Sequence, residues 1–320
     1  MSKEISLFNT DELTFKEKFY NLMDLLITNQ SVSMMEAILF LSIFYLQYIS
    51  AFFDEKIEVF NGSSYFLDNI LNHIKKIVRI KDLFSGQYDV FQILEIIFFV
   101  LIIICIIHFL CVCLTLKKDS IYDFNKQLIN LYFKFFIYVF YNVFLDFCFS
   151  NFCMGSSKIN PNFTDGDVTC SISDHTGIFA ISIILAVLSF FIYILIQIYF
   201  SDAFYLNGSY YAKMSSEYEF YLAFNSLVMS LLLNQIKFLS KEFFLVYNLI
   251  MSILLFIYYY THIIFYEDTI NIVVGVYHML YTWTSFFCLI FTFTDLGEKG
   301  IMYVISVILV IILYKYIQEI

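Results

Sequence analysis

Eight long apolar runs occupy most of this sequence, each close to the length that crosses a bilayer. A helix needs about 20 apolar residues to span the hydrocarbon core. In lipid, a chain with such runs satisfies its backbone polar groups as helices. Apolar residues make up 61 % of the 320-residue chain, more than a water-facing surface allows. The pattern predicts an all-α fold, a polytopic membrane helical bundle of about eight transmembrane helices with additional amphipathic interfacial helices.

The predicted organisation is a cytosolic amphipathic segment over residues 1–32 followed by a polytopic membrane domain over residues 33–317. Two longer connections interrupt the membrane domain: a loop with an interfacial helix at 54–90 and a Cys-bearing loop, expected to be lumenal, at 150–176. Very short links near 240–242 and 267–269 predict tight antiparallel helical hairpins. The expected spans lie at about 33–53, 91–115, 128–149, 177–200, 217–239, 243–266, 271–294 and 300–317.

Two segments outside these spans show apolar residues at helical spacing. In residues 12–28 the apolar face includes Phe19 and Leu22, with Asn9 and Thr10 as plausible caps. This helix lies either on the membrane surface or against the bundle. Residues 64–84 form a second such helix, which either touches anionic headgroups or packs on the bundle with a solvated basic face. Its candidate headgroup ligands are Lys75, Lys76 and Arg79.

The loop after the third span supplies the best indication of orientation, because the numbers of lysines and arginines on the two sides are nearly equal. Cys153 and Cys170 are candidates for a disulfide, and Asn162 heads a glycosylation sequon in the same loop. Asn61 heads a second sequon in the first loop. Together they predict an oxidising lumen on that side and both termini in the cytosol. The alternative is that the sequons arise by chance in an Asn-rich chain and that Cys148 competes for the disulfide.

Polar side chains within the spans are the main candidates for a site. Ionisable groups inside a membrane are costly and are functional candidates by default. Interhelical packing and snorkelling near span ends are the structural alternatives, and we favour them here. The candidates are Lys134, Asn142 and Asp146 in the third span and His278 and Trp283 in the seventh.

No motif indicates catalysis, and we expect neither an enzyme nor a cofactor. The second span contains Cys105, His108, Cys111 and Cys113, but this spacing places them on different sides of a helix, so no metal site is predicted. The net charge of −10 argues against a nucleic-acid partner, which would require a basic surface.

The order of several stretches resembles the N-terminal membrane region of large multi-pass ciliate proteins that carry a PAS domain and are related to the tiny macrocysts protein B-like group. The resemblance covers nearly the whole chain, although each motif is diffuse. The stretches are LSIFYLQYISAFF, IKKIVRIKDLF, DVTCSISDHTGIFAISIILAVL, SSEYEFYLAFNSL and YYYTHIIFYEDTINIVVGVYHMLYTWTSFF.

This sequence departs from the family pattern because it ends at Ile320, where the family would continue into a cytoplasmic sensory part. The resemblance therefore implies a membrane module but does not carry over PAS-based sensing, and it supplies no catalytic residues.

Three functions follow as hypotheses. The favoured one is a non-enzymatic sensory or scaffold membrane module. The alternatives are a channel or transporter, and an accessory subunit of a large organellar, respiratory-type complex. The expected partners are membrane lipids and other membrane-protein subunits. The expected location is the plasma membrane or an endomembrane, with the mitochondrial inner membrane as the alternative.

Overall fold

The fold is known from a computed structural model of the whole chain. It describes residues 33–54, 88–115, 123–150, 172–201, 217–235, 240–262, 267–294 and 299–318, together with residues 14, 16–19, 22, 57, 59, 264 and 265.

The described part of the chain is all-helical. The α-helices are α1 (Met34–Ser50), α2 (Tyr88–Thr115), α3 (Asp123–Phe135), α4 (Tyr141–Ser150), α5 (Ile172–Ser201), α6 (Glu217–Asn234), α7 (Lys241–Thr261), α8 (Asp268–Thr292) and α9 (Lys299–Gln318). A 3₁₀ turn (Ala51–Phe53) extends α1, and a π-helical turn (Phe136–Phe140) joins α3 to α4 without a break.

Helices occupy all eight intervals predicted as spans, but the count of eight transmembrane helices is not confirmed. Six helical stretches are long and apolar enough to cross a membrane: Met34–Phe53, Ile96–Leu114, Gln127–Phe149, Ala180–Gln197, Lys241–Thr261 and Asp268–Thr292. Helix α6 is absent from this group because polar side chains recur along it. The described apolar stretch of α9, Lys299–Ile312, is shorter. The protein is therefore membrane-embedded, with six candidate spans in its described part.

Local sequence explains where several helices begin. Ser33 and Ser240 cap α1 and α7, since each side-chain oxygen accepts the backbone N–H three residues later, at 3.2 and 3.3 Å. The link between α7 and α8 is closed by Asn271, whose side chain accepts from the N–H of Phe265 at 3.1 Å and donates to its carbonyl at 2.7 Å. The α7–α8 pair is therefore a tight hairpin, as the sequence predicts.

Helix α6 lies inside the bundle and packs against α4, α5 and α7, while α8 packs against α1, α7 and α9. The core between them is rich in large aromatic side chains that are fully buried, among them Tyr48, Tyr141, Tyr193, Tyr218 and Phe244. Helix α2 is peripheral and makes its main contact with α3. The bundle thus has a central helix with polar residues and an outer helix that is almost entirely apolar.

The described part of the N-terminal segment packs on the bundle, which was one of its two predicted positions. Leu22 is buried in a small cluster with Val112, Cys113 and Ile129. The ammonium group of Lys18 donates to the backbone carbonyl of Leu114, at the C-terminal end of α2, at 3.0 Å. This helical segment therefore covers one end of the α2–α3 pair.

Thr14 caps this segment. Glu17 accepts from the backbone N–H of Thr14 at 2.8 Å, and the Thr14 hydroxyl accepts from the N–H of Glu17 at 3.4 Å, which is the reciprocal pattern of a capping box. The predicted caps, Asn9 and Thr10, lie outside the described residues.

Several other predictions also fall on residues that the structure does not describe. They are the interfacial helix with Lys75, Lys76 and Arg79, the disulfide candidates Cys153 and Cys170, and the glycosylation candidates Asn61 and Asn162.

Candidate functional site: a polar core inside the bundle

The polar face of α6 forms the centre of the candidate site. Glu219, Asn225, Ser226 and Ser230 are all buried, as are Leu222, Ala223 and Met229 on the same helix. Since lipid cannot satisfy polar groups, a helix with this face is expected to pair with other helices through hydrogen bonds. Side chains from α1, α4, α5, α7 and α8 meet it. We call these buried, hydrogen-bonded side chains around α6 the polar core.

A histidine and two tyrosines from three helices meet at one end of α6. The hydroxyl of Tyr45 (α1) lies 2.6 Å from that of Tyr218 (α6), and Nε2 of His278 (α8) is hydrogen-bonded to Tyr218. The same nitrogen lies 3.4 Å from the Tyr45 hydroxyl. Nδ1 of His278 is buried and makes no hydrogen bond with any residue that the structure describes. The His278 triad therefore joins α1, α6 and α8 and leaves one ring nitrogen unpaired in the described part of the chain.

Glu219 brings a carboxyl group into the same region. Its residue is 4 % exposed, and its Oε2 accepts a hydrogen bond from the hydroxyl of Tyr193 (α5) at 2.8 Å. Burying an ionisable carboxyl away from water is expensive unless hydrogen bonds compensate for the lost solvation. The Tyr193 hydroxyl supplies one such bond and ties α5 to α6.

A chain of amides and a hydroxyl links α1, α4 and α6. The Asn142 side chain donates from Nδ2 to Oε1 of Gln47 at 3.0 Å and accepts from the Ser226 hydroxyl. Gln47 in turn donates from Nε2 to the backbone carbonyl of Val139 at 2.8 Å. Val139 belongs to the π-helical turn, a feature found frequently at functional sites. This chain therefore fixes the irregular turn of the third span against α1.

Tyrosine hydroxyls make further bonds to α6 and α7. Tyr281 (α8) donates to Oδ1 of Asn248 (α7) at 2.7 Å and accepts from Nδ2 of Asn225 at 3.3 Å. Tyr48 and Tyr141 donate to backbone carbonyls of α6, those of Leu222 and Ala223 respectively, at 2.6 and 3.0 Å. Each of these tyrosines packs as an aromatic in the core and satisfies a polar group on another helix.

The structure places the five predicted intramembrane candidates in different surroundings. His278 and Asn142 are part of the polar core, as is Asp146, whose Oδ1 accepts from Asn234 Nδ2 at 2.9 Å near the far end of α6. Lys134 is separate from Asn142 and Asp146 in its pairing, because its ammonium group forms a 2.8 Å ion pair with Glu36 of α1. Trp283 faces α9, where its Nε1 donates to the Ser306 hydroxyl at 2.9 Å.

Several members of the polar core were missed by reasoning from the sequence, among them Tyr45, Tyr193, Tyr218 and Glu219. Glu219 did carry a signal, since it is an ionisable residue within the predicted span 217–239. The three tyrosines carried no such signal in the sequence, because 26 tyrosines are spread along the chain.

The cysteines and histidine of α2 do not come together as a cluster. Cys113 is buried beneath Leu22, Cys111 is exposed, and the His108 ring lies edge-on to that of Tyr132. In the part of the chain that the structure describes, no group of three or more His, Cys, Asp or Glu side chains could hold a metal ion.

The chain matches no protein-family model, no curated protein and no solved structure. The family resemblance drawn from the sequence therefore stays an expectation, and the polar core must be interpreted from its own geometry.

Proposed function

We propose that this chain is a non-enzymatic integral membrane protein that acts as a sensory or scaffold module. The observation that carries the proposal is the polar core, in which side chains of α6 are hydrogen-bonded to α1, α4, α5 and α8. Tyr281 of α8 extends these bonds to Asn248 of α7. Interhelical hydrogen bonds hold membrane helices in fixed register. A bundle tied together in this way moves as a unit, so a displacement of one helix is passed to the others. That property suits a module that holds partners in place or relays a signal.

The sensory half of the proposal draws on the resemblance to ciliate PAS-domain proteins. The proposal also includes cytosolic termini and a plasma-membrane or endomembrane location. The proposed partners are lipids and other membrane proteins, not nucleic acids. A Cys153–Cys170 disulfide and glycans on Asn61 and Asn162 belong to the same topology. Removal of N-linked glycans, followed by gel mobility of wild type and Asn162→Gln, tests that topology directly.

The size of the native protein in its own organism tests the module itself. An immunoblot species much larger than 37.9 kDa supports the membrane half of a longer sensor. A species near 37.9 kDa that migrates within a large assembly on native gels, with Cys153 and Cys170 reduced and Asn162 unglycosylated, would instead support an accessory subunit of an organellar complex.

A proton-linked channel or transporter is the second candidate, and the His278 triad favours it. The hydrogen-bonded series Tyr45–Tyr218–His278 is a path along which a proton can pass between oxygen and nitrogen atoms. The unpaired Nδ1 of His278 is a further position where a proton can bind. Proton relays in membranes use such buried titratable chains.

Flux through reconstituted vesicles separates the two candidates. With a trapped pH-sensitive dye and an imposed pH gradient, we expect proton flux no faster than in protein-free vesicles. Flux that falls on Tyr218→Phe, but not on the lipid-facing control Tyr260→Phe, would overturn the scaffold proposal in favour of proton transport. Tyr260 is a matched control because it is 52 % exposed on the outer surface of α7.

A further inference from the structure

An apolar groove of about 440 Å³ opens on the outer side of the bundle, and none of its lining residues belongs to the polar core. Its walls are α2, the α3–α4 helix with its π-helical turn, and α5, and Phe19 of the N-terminal segment lies at one end. Nearly all of its surface is apolar. The volume falls within the range of about 300–1,000 Å³ typical of ligand pockets. Representative residues from the walls are Leu101, Ile106, Phe136, Phe140 and Leu195.

The groove lies within candidate spans, which determines what can fill it. Its walls belong to the stretches Ile96–Leu114, Gln127–Phe149 and Ala180–Gln197. Leu101 and Leu195 are 49 and 52 % exposed, so the groove is open to its surroundings. Water gains few hydrogen bonds in an apolar space and does not fill it. In a bilayer the available material is hydrocarbon, so an acyl chain is the occupant that fits.

The end of the groove marked by Phe19 carries positive charge. Lys18 donates to the carbonyl of Leu114, and Leu110, one helical turn of about 5.4 Å earlier on α2, lines the groove. An ammonium group has three donors, so this bond leaves Lys18 able to bind a phosphate oxygen as well. Lys16 is exposed on the same helical turn. The intervening carboxylate, Glu17, is directed to Thr14 by its hydrogen bonds.

We propose that this groove binds one acyl chain of an anionic phospholipid, whose phosphate is held by Lys18 at the Phe19 end. The predicted cytosolic position of the N-terminus places that end at the leaflet where anionic lipids are concentrated. The bound lipid would fix the N-terminal segment against α2, because the same lysine and Phe19 contact both. This role is separate from the polar core and does not depend on whether the bundle transports protons.

Native mass spectrometry of the detergent-purified full chain tests the site, with palmitoyl-oleoyl phosphatidylglycerol and phosphatidylcholine added as probes. We expect one phosphatidylglycerol to be retained about tenfold more strongly than phosphatidylcholine, a ratio that corresponds to about 1.4 kcal/mol. Equal retention of the two lipids by the wild-type protein would overturn the proposal.

Matched substitutions on α2 locate the site. Ile106→Trp fills the groove and is expected to weaken phosphatidylglycerol retention at least about tenfold. Ile107→Trp places the same side chain on the outer face, where Ile107 is 54 % exposed and does not line the groove, and is expected to leave retention unchanged. If Ile106→Trp fails to fold, Leu195→Trp on the opposite wall serves the same purpose. Equal retention by the groove and outer-face variants would overturn the proposal.

The headgroup contact is tested by Lys18→Gln, with Lys18→Arg as the control that keeps the charge. Lys18→Gln is expected to remove the preference by weakening retention of phosphatidylglycerol, which has a net negative charge, more than that of zwitterionic phosphatidylcholine, and Lys18→Arg is expected to keep the preference. A preference that survives Lys18→Gln would show that Lys18 does not hold the phosphate.

Discussion

Helix α2 leaves most of its apolar side chains on the outside of the protein, whereas helix α6 buries polar side chains in the interior. The most apolar stretch of α2, Ile96–Leu114, has a mean hydropathy of 3.3, and 17 % of it is buried within the protein. Helix α6 has too many polar residues to qualify as a span, yet Tyr218, Glu219, Asn225 and Ser226 on it are buried. In a water-soluble protein the more apolar helix would be expected inside.

The difference follows from the solvent. Lipid tails are as apolar as leucine, so burying an apolar side chain between membrane helices gains little over leaving it in lipid. A polar side chain gains more, because its alternative in hydrocarbon is an unsatisfied donor or acceptor. Hydropathy in this chain therefore reports contact with lipid, and the polar residues mark the protein interior. If so, the polar core carries the stability of the bundle, and the α2 side carries little.

The largest effect is expected from Asn142→Leu. This change removes the acceptor for Ser226 and the donor to Gln47, and so leaves two buried polar groups without these bonds. The expected loss is about 1–3 kcal/mol in the free energy of unfolding, measured by titrating the protein with a denaturing detergent in mixed micelles.

Ile104→Ala is the control on the apolar side, since Ile104 is 52 % exposed on α2. Truncation there exchanges protein for lipid, and the free energy of unfolding is expected to change by less than about 0.5 kcal/mol. A loss at Ile104 equal to that at Asn142 would break the comparison between the two helices.

Tyr281→Phe is expected to have the next largest effect. It keeps the ring and deletes the hydroxyl that donates to Asn248 and accepts from Asn225. The expected loss is about 0.5–1.5 kcal/mol in the free energy of unfolding, the usual net value of a hydrogen bond. Tyr260→Phe, on the lipid-facing side of α7, deletes the same atom and is expected to be neutral. Equal losses in the two variants would mean that the interhelical bond contributes nothing.

The Lys134–Glu36 ion pair is expected to contribute less to the free energy of unfolding than the polar core and more than the lipid-facing side chains. Its side chains are 15 and 36 % exposed, so partial solvation weakens their attraction. A double-mutant cycle with Lys134→Met and Glu36→Gln is expected to give a coupling free energy of about 0.2–1 kcal/mol, as for solvated pairs. A coupling larger than that between Asn142 and Gln47, measured in the same detergent titration, would place the main stabilising contact at the edge of the bundle instead of at α6.

The positions of the helices were largely predictable from the sequence, because long apolar runs in lipid leave the backbone one satisfactory conformation. The polar core was predictable only in part. His278 and Asn142 were identified because a polar side chain within an apolar run is conspicuous. Their partners were not identified, because a hydrogen bond such as that between Tyr45 and Tyr218 joins residues 173 positions apart. Local periodicity contains no information about such pairs.

Lys134 and Glu219 show a second limit. Lys134 lies near a span end, where a long side chain can extend to the membrane surface, and the structure pairs it with Glu36 on a neighbouring helix. Glu219 lies near the start of the predicted span 217–239, and the structure buries it beside Tyr193. Neither partner could be predicted, because distance along a helix does not reveal which neighbouring helix covers that position.

The smallest effect concerns the N-terminal segment, which covers the end of α2. Hydrogen bonds from the backbone N–H and the hydroxyl of Thr14 lower the pKa of the Glu17 carboxyl below its usual value of 4.5. A carboxyl with a lowered pKa stabilises the folded segment at pH values above its ordinary pKa, and that contribution is lost as the pH falls through the lowered pKa.

Cys113, buried beneath Leu22, reports on the segment, because its thiol becomes accessible when the segment detaches. We expect Glu17→Gln to raise maleimide labelling of Cys113 over wild type at pH 7, because loss of the carboxylate weakens the cap, when the modified peptide is quantified by mass spectrometry. As the pH is lowered through the lowered pKa of Glu17, the ratio of variant to wild type should approach one, because both proteins then carry a neutral side chain at position 17. Comparing the two proteins at one pH cancels the reactivity of the thiol itself. A ratio that stays constant over this titration would mean that the carboxylate does not cap the segment, and that apolar packing of Leu22 alone holds it on α2.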